Sequence, residues 1–264
     1  MSALPADPDQ ICTATGLGLI AAQPGTAWRI TKDAYVQTSG ITGVLVNDRV
    51  GLLPPGTPDR RGRYDTQGRT VYFADTAKTA LAEVLQHLRV KVVSMAKDAA
   101  AVGMDTEDYR QALTADLHSR GLPGPGEVSV DWQLASSLYQ VHLPATGWWV
   151  VIDCPATLNA LSDTMSGSVP PLTLGHVTGD NRALTTQLAQ VIRESVLQDG
   201  SLPLGIVFPS KTAYGRCWAW WNRRADDNLN PGSNDPKLIT SLNVGVPELE
   251  QICRDWNLTL VGTR

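Results

Sequence analysis

The chain has 264 residues, of which 42% are hydrophobic and 18% charged, and it carries a net charge of −4. That is the make-up of a globular protein with a substantial core, and it argues against a generic nucleic-acid binder, which carries a basic excess. No apolar run approaches membrane-spanning length, and the N-terminus lacks the positive start and apolar stretch of a signal peptide.

Four cysteines (Cys12, Cys154, Cys217, Cys253) show no CxxC spacing, and four histidines (His87, His118, His142, His176) no HExxH. Neither a disulfide scaffold nor a zinc site is expected, and reduced thiols in a cytoplasmic protein are the default. A local basic pocket for a phosphorylated small molecule stays open.

In chain order, residues 1–24 read as a loosely ordered extension, polar and Pro-containing at its start. "TAWRI" (Thr26–Ile30) reads as a short strand and Leu52–Arg63 as a Pro/Gly loop. "TVYFA" (Thr70–Ala74), β-branched and aromatic, predicts a strand that runs straight into a helix. Asp75 or Thr76 caps that helix, and Leu81, Val84, Leu85 and Leu88 recur at helical spacing.

A second helix spans Thr106–Gly121, with Tyr109, Leu113 and Leu117 on one face. "SLYQVHL" and "WWVVIDC" predict strands. Gly179–Gly200 holds a long helix with a stripe of Leu184, Leu188, Val191 and Ile192, ended by Gly200. A strand at Leu204–Phe208, a polar loop at Asn222–Pro236 and a strand at "LITSLNVG" follow. Then come a helix with Pro247 at its first position and a last edge strand at "LTLVG".

Strands and helices mix without regular βαβ alternation, which predicts an α+β fold with a mixed or antiparallel central sheet and surrounding helices. The whole chain, 1–264, reads as one domain, with about 93–130 as an accessory helical insertion.

Glu83 lies nearly opposite the apolar stripe of its helix, beside Thr79, Gln86 and His87. It is either a solvated helix-face carboxylate or the lining of a cleft. Arg29 follows Trp28 in a strand and is either a rim residue or a ligand for phosphate. Ser210 follows a strand and Pro209 with no GxSxG and no matched His or acid, so it is not a nucleophile elbow. Trp218, Trp220 and Trp221 read mainly as core and pocket wall. No GxGxxG or GxxxxGK[ST] is present, so Rossmann and P-loop readings have no support.

Three blocks in order then change the picture: "AWRITK" with Arg29, "RRGRYDTQGRTVYFADTAKTALAEVLQHLR" from Arg60 to Arg89, and "LGIVFPSKTAYGRCWAWWNRR". Together they resemble the RES domain, named for its Arg, Glu and Ser. The second block carries Gly62, Arg63, Tyr64, Asp65, Gly68 and Tyr72, then Ala80, Leu81, Glu83, Val84 and Leu85.

The resemblance implies an ADP-ribosyltransferase-like core. It also implies an enzyme that destroys NAD by cleaving the nicotinamide–ribose bond, as a phosphorylase or glycohydrolase. Most such proteins are toxins of bacterial type II toxin–antitoxin pairs. It further implies Arg29, Glu83 and Ser210 as catalytic residues, and Arg29, Arg63, Tyr64, Tyr72 and Ser210 as NAD-binding. Tyr214 and Trp218 are weaker pocket candidates. NAD is then substrate and not a retained cofactor, inorganic phosphate is a candidate co-substrate, and no metal is expected. The implied partner is a helix-turn-helix antitoxin that blocks the site; no nucleic acid or membrane contact is expected, and a homodimer stays open.

A protein ADP-ribosyltransferase using the same pocket and a non-catalytic binding module are the alternatives. Asp65 departs from the family's usual Asn. A carboxylate only accepts hydrogen bonds, and its charge near a phosphate site would disfavour phosphate as the acceptor.

Overall fold

Among the described residues nine strands form one sheet, in the order Gln10–Ile11, Gly18–Ala21, Trp148–Val151, Gly205–Pro209, Arg216–Trp221, Thr70–Ala74, Thr26–Lys32, Ser136–His142 and Lys237–Asn243. The computed structural model describes residues 7–33, 45–166, 171–243 and 247–262. The strands are β1 (Gln10–Ile11), β2 (Gly18–Ala21), β3 (Thr26–Lys32), β4 (Thr70–Ala74), β5 (Glu127–Ser129) and β6 (Ser136–His142). The rest are β7 (Trp148–Val151), β8 (Gly205–Pro209), β9 (Arg216–Trp221), β10 (Lys237–Asn243) and β11 (Thr259–Val261).

The helices are α1 (Ala77–Leu85), α2 (Val92–Ala101), α3 (Thr106–Ser119), α4 (Val130–Leu134) and α5 (Pro155–Thr164). They continue as α6 (Leu174–Thr178), α7 (Arg182–Glu194), α8 (Arg223–Asp226) and α9 (Pro247–Trp256). All strand pairs of the large sheet are antiparallel except β7 with β8, which are joined through α5, α6 and α7. This is the expected α+β architecture.

One face of the sheet carries the main core. Leu81 and Leu85 of α1, Leu188 and Ile192 of α7, Leu161 of α5 and Leu249 and Ile252 of α9 pack there against Val150, Ile206, Ala219 and Trp221. The other face buries Val71, Phe73, Val141, Trp149, Val207, Trp218 and Trp220 as a separate cluster contributed by strands. Strand side chains alternate between faces, which is why Trp220 and Trp221 serve different clusters.

Several boundaries differ from the sequence-based expectation. The N-terminal extension is not loose over 10–21: β1 and β2 pair at the sheet edge, Leu19 is fully buried, and β2 is knit to β7. Residues 1–6 lie outside the described residues, as do Val244 and Gly245 of "LITSLNVG". Helix α7 ends at Glu194 rather than at Gly200, with Ser195 as its cap.

The loop expected over Asn222–Pro236 opens with the short helix α8, capped by the Asn222 side chain. The last strand, β11, joins β5 in a separate parallel pair rather than the sheet edge. It thereby places a strand inside the segment read as helical. Helices α2 and α3 occupy the rest of that segment, and Tyr109, Leu113 and Leu117 are only half-buried there. Helix α5, which opens on Pro155, was not anticipated from sequence.

Candidate active site

The sheet nearly divides between β3 and β4. Strand β3 pairs with β6 along its whole length, from Thr26↔His142 to Lys32↔Ser136, but meets β4 only at Trp28↔Ala74. Beyond that pair the two strands splay apart. The gap opens into a cavity of about 140 Å³ whose lining includes Trp28, Arg29, Tyr72, Glu83, Val84 and Phe208.

A backbone edge left without a ladder must satisfy its polar groups by other means. Arg29 does this here, its Nη1 donating to the Tyr72 carbonyl at 3.1 Å. Burial of the guanidinium pulls its pKa down to about 10, against a partial offset from Tyr72.

Tyr72 presents its ring to the cavity and its hydroxyl to the protein. The hydroxyl donates to Asp65 Oδ1 at 2.8 Å and accepts the Tyr64 N–H at 2.9 Å. Burial, reinforced by the Asp65 charge, pushes its pKa well up. Gly62 is required beside it, because a Cβ there would sit 2.5 Å from the Tyr72 hydroxyl.

Asp65 is itself buried and accepts from Tyr72, from the Gly62 N–H at 2.8 Å and from Asn47 Nδ2 at 3.1 Å. An acceptor-only side chain suits three donors. Its oxygens are committed to holding this loop and Tyr72, so the sequence-based concern that it faces a bound phosphate finds no counterpart in its contacts.

Glu83 is half-buried on α1, a helix whose N-terminus is capped by Thr76 accepting the Thr79 N–H at 3.0 Å. The face opposite the apolar stripe is only partly solvent: Thr79 is fully buried and Glu83 and Gln86 half-buried, while His87 is exposed. Glu83 Oε1 accepts the Ser210 hydroxyl at 2.5 Å and the Lys211 N–H at 3.1 Å. Gln86 Nε2 lies 3.3 Å from Oε2.

Ser210 opens a tight turn in which its N–H donates to the Gly215 carbonyl and Ala213 takes a left-handed φ of 61°. Gly215 is needed because a Cβ would sit 2.4 Å from an Asp75 carboxylate oxygen. The hydroxyl of Ser210 is therefore a donor to Glu83, positioned by its turn. Arg63 is 6% exposed, lies over the rings of Tyr64 and Phe208, and keeps Nε and Nη1 without a partner.

Ser210 and Arg63 touch lining residues without lining the cavity themselves, and the other candidates lie elsewhere. Tyr64 is fully buried with its hydroxyl bonded to the Val177 carbonyl at 2.7 Å, and burial pushes its pKa up to about 12, so it supports the cleft from behind. Trp218 packs in the cluster on the opposite face. Tyr214 bonds Asp255 at 2.7 Å and stacks near Trp256, joining the Ser210 turn to α9.

Arg216 forms a two-pronged ion pair with Asp153. Arg223 donates to the carbonyls of Arg193 and Pro203, and Arg224 to that of Asn230. None of these lines the cavity. Sequence reasoning missed Phe208 as a cavity residue and Lys211 as the backbone donor to Glu83. Their only signal was position at the strand end beside Ser210.

Among the described residues no His, Cys, Asp or Glu group is arranged to hold a metal ion, and no helix is long and apolar enough to cross a membrane. Comparison with curated proteins gives no matching relative. A family model described as the RES domain matches residues 26–239, which contain every residue of the cleft, and the chain belongs to that family.

Proposed function

We propose that this protein cleaves the bond between nicotinamide and ribose in NAD, by phosphorolysis or hydrolysis, as the toxin of a toxin–antitoxin pair. The observation that carries this reading is the Glu83 carboxylate held at the cleft by Ser210 and the Lys211 N–H. Family membership supplies the substrate class.

Loss of nicotinamide leaves positive charge on the ribose, an oxocarbenium-like state as in other glycosidic cleavages. A fixed carboxylate stabilises that charge without having to reorganise. Nicotinamide departs neutral, so no general acid is needed. Ser210 and Lys211 hold Oε1 and leave Oε2, with its longer contact to Gln86, for the ribose.

Tyr72 and Phe208 offer apolar rings to a nicotinamide, and Arg29 and Arg63 offer charge to the phosphates. The cavity is smaller than the few hundred Å³ that a whole ligand of drug size fills. It suits the nicotinamide end, with the rest of the dinucleotide outside.

The test is incubation of the full chain with NAD, with and without inorganic phosphate, and separation of the products. ADP-ribose-1″-phosphate identifies phosphorolysis and free ADP-ribose hydrolysis. Label appearing on protein would point instead to an ADP-ribosyltransferase. NAD left intact by the wild type, or consumed equally by Glu83→Ala, overturns the enzymatic reading.

A further inference from the structure

Beside the Glu83 contact of Lys211 two cations pair with one carboxylate. Lys211, whose backbone N–H holds Glu83, turns its Nζ to an ion pair with Asp180 Oδ1. Arg182 Nη2 stands 3.5 Å from the same oxygen. Asp180 is held below the usual carboxylate range, first by the Lys211 hydrogen bond, with the charges of Lys211, Arg182 and Arg63 adding to it.

The cations are not saturated by this arrangement. Arg63 Nε and Nη1 and Arg182 Nη1 are buried without a partner. A buried donor left without an acceptor is costly, the more so when it is charged. Arginine donors that persist unpaired beside a lysine are suited to a planar or tetrahedral oxyanion. Asp180 has an 80% exposed side chain, so little beyond the ion pairs holds it in place.

We propose that Asp180 is a placeholder in an oxyanion subsite formed by Arg182 and Lys211, and that a phosphate group displaces it. The phosphate comes either from the pyrophosphate of a dinucleotide or from free inorganic phosphate. Only that choice of ligand rests on the NAD reading; the cluster and its placeholder do not. Displacement leaves Lys211 free to pair with the ligand, one residue from the Ser210–Glu83 contact. Filling of the subsite is thereby linked to the carboxylate that faces the ribose.

Calorimetric titration of the full chain with ADP and, separately, with inorganic phosphate tests this. Asp180→Asn removes an exposed competitor and is expected to tighten binding about fivefold. Arg182→Met is expected to weaken it about tenfold. Tightening for phosphate alone assigns the subsite to the free ion, and tightening for ADP alone to the dinucleotide.

Unchanged affinity of Asp180→Asn for both probes overturns the placeholder, and unchanged affinity of Arg182→Met overturns the subsite. Melting temperatures check that both variants fold. Tighter ADP binding by Asp180→Asn in a protein that consumes no NAD would keep this inference and sink the proposed function. NAD consumption with no change in either affinity would do the reverse.

Discussion

Strand β4 has two edges that behave differently. Toward β9 it pairs continuously, from Thr70↔Trp221 to Ala74↔Cys217; toward β3 it pairs once, at Trp28↔Ala74. The paired edge closes the core and its residues are buried on both faces. At the open edge β3 follows β6 instead, a side chain stands in for the missing ladder, and the cavity forms. The cavity sits where the sheet stops pairing, because there strand residues from both sides reach a common space.

The largest expected effect lies at the closed edge. Trp221 is 2% exposed, and Trp221→Ala should cost about 3–5 kcal/mol in urea unfolding, as truncation of a large buried aromatic does. At the open edge the order reverses. Glu83→Gln should lower kcat for NAD cleavage roughly 10²–10³-fold while the melting temperature stays near wild type. A variant that loses stability instead would make Glu83 a packing residue.

Arg29 belongs to both sides of the comparison. Arg29→Met removes the donor to the Tyr72 carbonyl and should cost about 1–3 kcal/mol of stability as well as raising KM. Loss of stability with unchanged KM would confine Arg29 to the cleft floor. Ser210→Ala should reduce kcat roughly tenfold, through a less firmly held Glu83. A deeper loss than that of Glu83→Gln would mean that the hydroxyl acts directly.

The smallest effect concerns the strap behind the Ser210 turn. Asp255, bonded first to Tyr214 and then to Lys78 and Gln251, has its pKa lowered to about 2 from 3.8. A depressed carboxylate contributes stability above its ordinary pKa and loses it as the pH falls through its folded value. The wild type should therefore lose stability between about pH 4 and pH 2 more steeply than Asp255→Asn, as read from urea midpoints. Parallel slopes would show that the strap contributes nothing.

Much of this was legible in advance. The β4 segment matched its expected bounds and Thr76 capped α1 as read; Arg29 and Glu83 line one cavity, and Ser210 donates to Glu83. What failed were residues judged by type alone. Tyr64, Tyr214 and Trp218 are aromatic and adjacent to the motifs, but strand alternation and the partners of their hydroxyls direct them away from the cavity. The N-terminal segment was misread because a short edge strand such as Gln10–Ile11 draws its order from pairing with a neighbour and not from its own pattern.

By itself, the sequence determined the elements whose signals are local: the β-branched run of β4, the cap and period of α1, and Pro247 at the start of α9. It also determined, through three separated blocks, which family they compose. Tertiary structure alone decided that β3 leaves β4 after one pair, that Asp65 is consumed in fixing Tyr72, and that Lys211 links Glu83 to Asp180. These depend on contacts between residues from seven to more than a hundred positions apart. Short-range periodicity carries no information about such distances, and burial and hydrogen-bond satisfaction settle them only when the chain is folded.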